Sequence, residues 1–121
     1  MSAIAIDWGE EPAERREHMD REAARIAARL AEMGAELVVL FGSRARGVAR
    51  AGSDLDLIAV MPCDPRWTFA RRLAEIGAAV DPHLATDLLV YTPEEFARLR
   101  RGSAFVRQAM AEGVVLFSRS A

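Results

Sequence analysis

Apolar residues return at three- and four-residue steps early in the chain. Met19, Ala23, Ile26, Leu30 and Met33 stand between Arg and Glu positions, which predicts an amphipathic helix from Pro12 to Met33, stopped by Gly34. The period then shortens. Glu36 to Phe41 reads as a buried strand, and Gly42-Ser43 turns it into a short helical turn holding Arg44 and Arg46. Gly47 to Ser53 is a polar loop, and Asp54 to Met61 is a second strand ended by Pro62. Asp64-Pro65 offers an N-cap and a first-turn proline to a helix running to about Gly77, and a third strand is expected from Leu84 to Tyr91. Thr92-Pro93-Glu94-Glu95 combines a capping box with proline in the first helical position, so a helix starts there. Ser103 caps a last helix to Glu112, and Val114 to Phe117 supplies a short edge strand.

Strands alternating with helices predict an α/β fold, and 121 residues with 51% apolar content suit one domain, residues 1–34 forming an N-terminal helical region and 35–121 the core. Net charge is −2 with a pI near 5.7, which gives no general field for nucleic acid or an anionic membrane, so any phosphate binding has to be local. Every basic residue is arginine, which excludes Schiff-base chemistry and a P-loop lysine. Cys63 is the single cysteine, the N-terminal residues MSAIAIDWGEEP lack the features of a signal peptide, and no apolar run approaches bilayer length. A cytoplasmic location without a membrane span is expected.

The candidate chemistry lies in LFGSRARGVARAGSDLDLIAV, residues 40–60. Two residues apart in a strand, Asp54 and Asp56 direct their carboxylates to one face while Leu55 and Leu57 face the other. Such a pair repels itself unless a cation lies between, and all-oxygen donors favour Mg²⁺ or Mn²⁺ over zinc. Alone, it reads as a loop cap beside a solvated sheet edge. An EF-hand is a poor fit, because Ala59 stands where the loop needs glycine. The Gly42-Ser43 turn strengthens the functional reading. Glycine after a buried strand admits close backbone approach, and free N–H groups, the Ser43 hydroxyl and the guanidinium groups of Arg44 and Arg46 together outline a phosphate cradle. Gly42 to Gly47 matches part of a Walker A motif, but Val48-Ala49 replaces its Lys-Ser or Lys-Thr. A third carboxylate from a neighbouring strand is expected, and Asp87 in HLATDLLVYT fits, whereas Asp81 before Pro82 reads as a turn residue.

Gly42-Ser43, ten intervening residues and Asp54-Leu55-Asp56 resemble the signature of the minimal nucleotidyltransferases of the DNA polymerase β-like superfamily. The likeness runs from about Leu37 to Phe117 and includes TDLLVYTPEEF and FVRQAMAEGVVLF. It implies a nucleotidyltransferase fold, a small open mixed β-sheet with flanking α-helices. It also implies that Gly42 and Ser43 bind nucleotide phosphates, and that Asp54, Asp56 and Asp87 serve two Mg²⁺ ions, Mn²⁺ being an alternative. The implied reaction transfers a nucleoside monophosphate, AMP from ATP or another NMP from its NTP, to a hydroxyl with release of pyrophosphate. The resemblance further implies an antitoxin paired with a HEPN-domain RNase toxin, hence a hetero-oligomer, in which a partner hydroxyl is the acceptor. Against this enzyme stands a binding module that neutralises such a toxin by complex formation alone.

The remaining features read more plainly. Arg71-Arg72 and Arg98 to Arg101 are expected to be solvated helix faces balanced by Glu75, Glu94 and Glu95, with no strong nucleic-acid signal. Trp8, Trp67 and Phe69 are expected to complete the core, Tyr91 to be a strand residue, and His18 and His83 lie too far apart in sequence to suggest a metal site.

Overall fold

The computed structural model describes residues 9–119, so Trp8 lies outside the described residues. The chain order is α1 (Ala13–Glu32), β1 (Leu37–Phe41), α2 (Gly42–Ala45), β2 (Leu55–Val60), α3 (Phe69–Val80), β3 (Thr86–Tyr91), α4 (Pro93–Gly102), α5 (Ala104–Glu112) and β4 (Val114–Ser118). The strands form an open mixed sheet in the order β3-β2-β1-β4. β1 is antiparallel to both β2 and β4, while β2 and β3 run parallel across the α3 crossover.

The two faces of the sheet bury different helices. On one, Met19, Ile26 and Leu30 of α1 and Ile76 and Val80 of α3 pack against Val38, Leu40, Leu55, Leu57 and Val90. On the other, Phe96 of α4 and Val106 and Ala109 of α5 pack against Ile58 and Val60. Alternation along β2 divides Leu55 and Leu57 from Ile58 and Val60, as a two-residue period requires when both faces are covered. Asp56 shares the parity of Ile58 and Val60, so it belongs to the α5 face, at the end of the strand where α2 begins.

The helix starts follow local chemistry. Thr92 accepts from the Glu95 N–H at 3.2 Å while the Glu95 carboxylate accepts from the Thr92 N–H at 2.7 Å, which completes the capping box. Ser103 caps α5 by accepting from Val106 N–H. The expected start at Asp64-Pro65 is not where α3 begins. Asp64 caps only a local turn, accepting from the Arg66 N–H at 2.9 Å, and Thr68 is the true N-cap, accepting from Arg71 N–H. Nor does the helix stop at Gly77. It continues to Val80 and closes on Asp81, whose φ of 52° is left-handed, just before Pro82.

Candidate functional site

The antiparallel β1–β2 pair places Phe41 opposite Asp56, and the parallel β2–β3 pair places Asp56 opposite Asp87. One strand end therefore carries the Gly42-Ser43 turn, Asp56 and Asp87 side by side. Gly42 has a φ of 76°, and a Cβ built on it would stand 2.3 Å from Asp56 Oδ2. Any side chain there would meet the carboxylate as well as strain the backbone, so glycine is needed on two counts. Backbone and acid press directly on one another at the strand end.

Asp56 is half-buried, and its carboxyl is pushed above the ordinary aspartate range by burial, by the charges of Asp87 and Asp54, and by a hydrogen bond with Asp87. Arg44 offsets this only in part. Asp54 and Asp87 are both exposed. Asp54 falls in the loop just before β2, so it shares the mouth of the site without being a strand residue. Among the described residues no three His, Cys, Asp or Glu side chains already form a cage for a metal ion. The Asp56–Asp87 contact nevertheless fits a hard divalent cation. Its donors are all oxygen, its two acids stand opposite each other on paired strands, and the charges of Asp87 and Asp54, which add to burial in raising Asp56, are what a bound cation would neutralise.

The two arginines of the turn differ. Arg46 is exposed and stands 3.8 Å from Glu112 of α5. Arg44, expected as an anion ligand, is instead buried against Glu11: its terminal nitrogens donate to the two carboxylate oxygens at 2.6 and 2.7 Å, and one also donates to the Ser53 carbonyl at 3.1 Å. With its terminal nitrogens taken and its Nε buried, this guanidinium presents no solvent-facing donor to phosphate, so Arg44 is a brace and not a cradle residue. Arg15 joins it, donating to the Ala51 and Ser53 carbonyls and lying 3.6 Å from Glu11. Together Glu11, Arg15 and Arg44 clamp the loop that delivers Asp54. Glu11 is held below the usual carboxylate range mainly by its hydrogen bonds from Arg44. Sequence reasoning missed Glu11 and Arg15, and an acid four residues before an arginine at a helix start was too common a signal to reveal them.

Beside Gly42 opens a cleft of about 230 Å³ between α2 and α5, with Phe41, Arg46, Phe105, Gln108 and Glu112 in its walls. Phe105 packs edge-on against Phe41, with ring centroids 5.5 Å apart at 88°. Away from the site, Arg72 is not a solvated residue as expected. It is buried, donating to Glu95 at 2.7 Å and to the Val90 carbonyl at 3.1 Å. Phe69 does not complete the core; it is 43% exposed and leans on Tyr91 at 6.2 Å.

The family model described as a nucleotidyltransferase domain matches residues 21–116, which is most of the chain and contains the whole turn and all three aspartates. No functionally curated protein matches significantly. A crystal structure of a candidate nucleotidyltransferase from Sulfolobus solfataricus superposes with a TM-score of 0.64 at 21% identity, covering 98% of this chain and 94% of that one. A second crystal structure, a toxin-antitoxin with AMP-PNP, superposes with a TM-score of 0.50 at 20% identity, covering 80% of this chain and 74% of that one. At such identities these likenesses establish the fold, and no helix among the described residues is long and apolar enough to cross a membrane.

Proposed function

The chain belongs to the nucleotidyltransferase domain family, and from that premise we propose that it transfers AMP from ATP to a hydroxyl of a partner protein and acts as the antitoxin of a HEPN-domain toxin. The observation that carries the reading is the pairing of Asp56 with Asp87 beside Gly42, an arrangement that puts only partly compensated negative charge where a phosphate would bind. Such a site is suited to a nucleotide only together with a cation. Asp56 and Asp87, with Asp54 at the mouth, would hold Mg²⁺, which supplies activation of the attacking hydroxyl and neutralisation of the leaving pyrophosphate.

The protein's own groups do the rest. The Gly42-Ser43 backbone and the Ser43 hydroxyl bind the phosphates, and exposed Arg46 adds positive charge beside them. Asp87, the exposed member of the pair, takes the proton of the acceptor hydroxyl as its oxygen bonds to the α-phosphorus. The bond from that phosphorus to the β-phosphate oxygen breaks, and pyrophosphate leaves. Acceptor positioning falls to the partner, and the toxin-antitoxin neighbour supports a protein in that role.

The test is label transfer. With Mg²⁺, the HEPN-domain partner and ATP labelled at the α- or the γ-phosphate, the α label should appear on the partner and the γ label in pyrophosphate. Asp56→Asn should abolish transfer while raising the melting temperature of the free protein by a few degrees, because the repelling carboxylate is gone. A tight complex without label transfer, in which Asp56→Asn still suppresses the toxin, would establish neutralisation by complex formation alone.

A further inference from the structure

The cleft beside Gly42 shares Gly42 and Arg46 with the proposed phosphate site, and its other walls carry groups of a different character. Phe105 is 50% exposed at the start of α5, although the next residue, Val106, is 1% exposed in the core. It meets Phe41 at right angles and lines the cleft, and the half of its surface left exposed supplies aromatic area there. Gln108 and Glu112, one helical turn apart on α5, line the same space and approach each other at 3.4 Å. Arg46 closes the far side against Glu112. At about 230 Å³ the cleft falls below the roughly 300–1,000 Å³ of drug-sized sites, which suits one flat ring system.

Gly42 belongs to both spaces. One side of it touches Asp56 and the other lines the cleft. A triphosphate lying on Gly42-Ser43 therefore has the acids on one flank and the aromatic cleft on the other. We infer that this cleft receives the adenine base of the nucleotide, with Phe105 as the stacking face and Gln108 as the group that reads the base. The inference rests on the nucleotidyl-transfer reading and adds to it the residues that choose the substrate. An open aromatic face is what a base requires for stacking, and it is indifferent to base identity. One N–H of Gln108 Nε2 donates to Glu112 Oε1 at 3.4 Å, and the second N–H and the carbonyl oxygen remain as the donor and acceptor that bond adenine through its N7 and its N6 amino group. Guanine presents acceptors at both N7 and O6, so one member of the carboxamide is left unmatched.

The test compares ATP, GTP and inorganic tripolyphosphate, each with Mg²⁺, by calorimetric titration of the whole chain. Tripolyphosphate carries the phosphates without a base. ATP should bind roughly tenfold or more tightly than tripolyphosphate, the scale of one stacked base. Phe105→Ala should bring ATP down to the tripolyphosphate level without changing tripolyphosphate binding, Phe105→Tyr should retain the difference, and Gln108→Ala should narrow the preference for ATP over GTP. The exposure of both side chains keeps these variants folded, which an unchanged melting temperature would verify. Equal binding of ATP and tripolyphosphate by the unmodified protein, or an equal loss of both in Phe105→Ala, would overturn the base assignment and leave the nucleotidyl-transfer reading standing. Binding of neither probe would overturn both.

Discussion

Two buried arginines, each paired with a glutamate, brace this fold, and they differ in what they hold. Arg44 and Glu11 are 4% and 1% exposed and meet through two hydrogen bonds, whereas Arg72 reaches Glu95 through one nitrogen and Glu95 is 31% exposed. Each arginine keeps a buried Nε without a hydrogen-bond partner among the described residues. The first pair ties the approach to α1 to the turn after β1 and, through the Ser53 carbonyl, to the loop that carries Asp54. The second ties α3 to the capped start of α4 and to β3. The same chemistry thus serves the site in one place and helix packing alone in the other. Burial of a charge marks a structural commitment, and what the partner is attached to decides whether the commitment has a functional reach.

Removing one arginine at a time should separate the two most sharply. Arg44→Ala leaves a doubly hydrogen-bonded, fully buried Glu11 without a partner, and the expected loss is about 3–5 kcal/mol, a large share of a domain stability of about 5–15 kcal/mol. Denaturant titration measures it. In the fraction that stays folded at low temperature, Mg²⁺-dependent nucleotide binding should also weaken, because the Asp54 loop is released.

A third pair falls between them. Glu22 is buried and accepts from two nitrogens of Arg25 at 2.7 and 3.1 Å, but Arg25 is 36% exposed. The hydrogen bonds from Arg25, aided by the His83 N–H and opposed by burial, bring Glu22 from 4.5 down to about 2. A carboxylate lowered in the folded state stabilises the protein above its unfolded value and loses that contribution as pH falls through the folded one. Stability should therefore decline from about pH 4.5 toward about pH 2, and Glu22→Gln should flatten that decline while costing on the order of 3 kcal/mol at neutral pH. An acid-unfolding profile that is the same in Glu22→Gln would assign the decline to other carboxylates.

The smallest effects come from neighbours on α3. Arg72→Ala should cost roughly 1–3 kcal/mol with nucleotide binding unchanged, since its partner keeps solvent access and the capping-box bonds of Thr92. Arg71→Ala should stay within about 0.5 kcal/mol, because Arg71 and Glu75 face water at 62% and 52% exposure. Thermal melts of the two variants side by side would show whether one step along the helix separates a brace from a surface residue.

These pairs also show where the sequence was readable. Thr92 and Ser103 cap helices as read, because a cap acts on N–H groups two or three residues away and is written locally. Asp87 was visible because a charge inside an apolar strand needs a reason, and the register places it opposite Asp56. Asp64 was misread because an Asp-Pro turn and a true N-cap look alike within four residues, and only the chain path makes Thr68 the start. Arg44 and Arg72 were misread because their partners lie 33 and 23 residues away, and no periodicity connects an arginine to a distant glutamate. The cleft between α2 and α5 was invisible for the same reason.

The parallel pairing of β2 with β3 has a consequence for the order of assembly. β1 and β2 are successive strands that meet as an antiparallel pair, but β2 and β3 meet only after α3 has crossed between them. Contacts of long sequence separation bear the larger loop-closure cost and form late on the folding path. By that rule Asp56 and Asp87 come together after the β1–β2 pair forms, although β1–β4 closes a longer loop still, and their repulsion opposes that step without slowing the earlier one. A ligand that neutralises the pair acts on the native side of the barrier, so its kinetic signature is slower unfolding with an unchanged refolding rate.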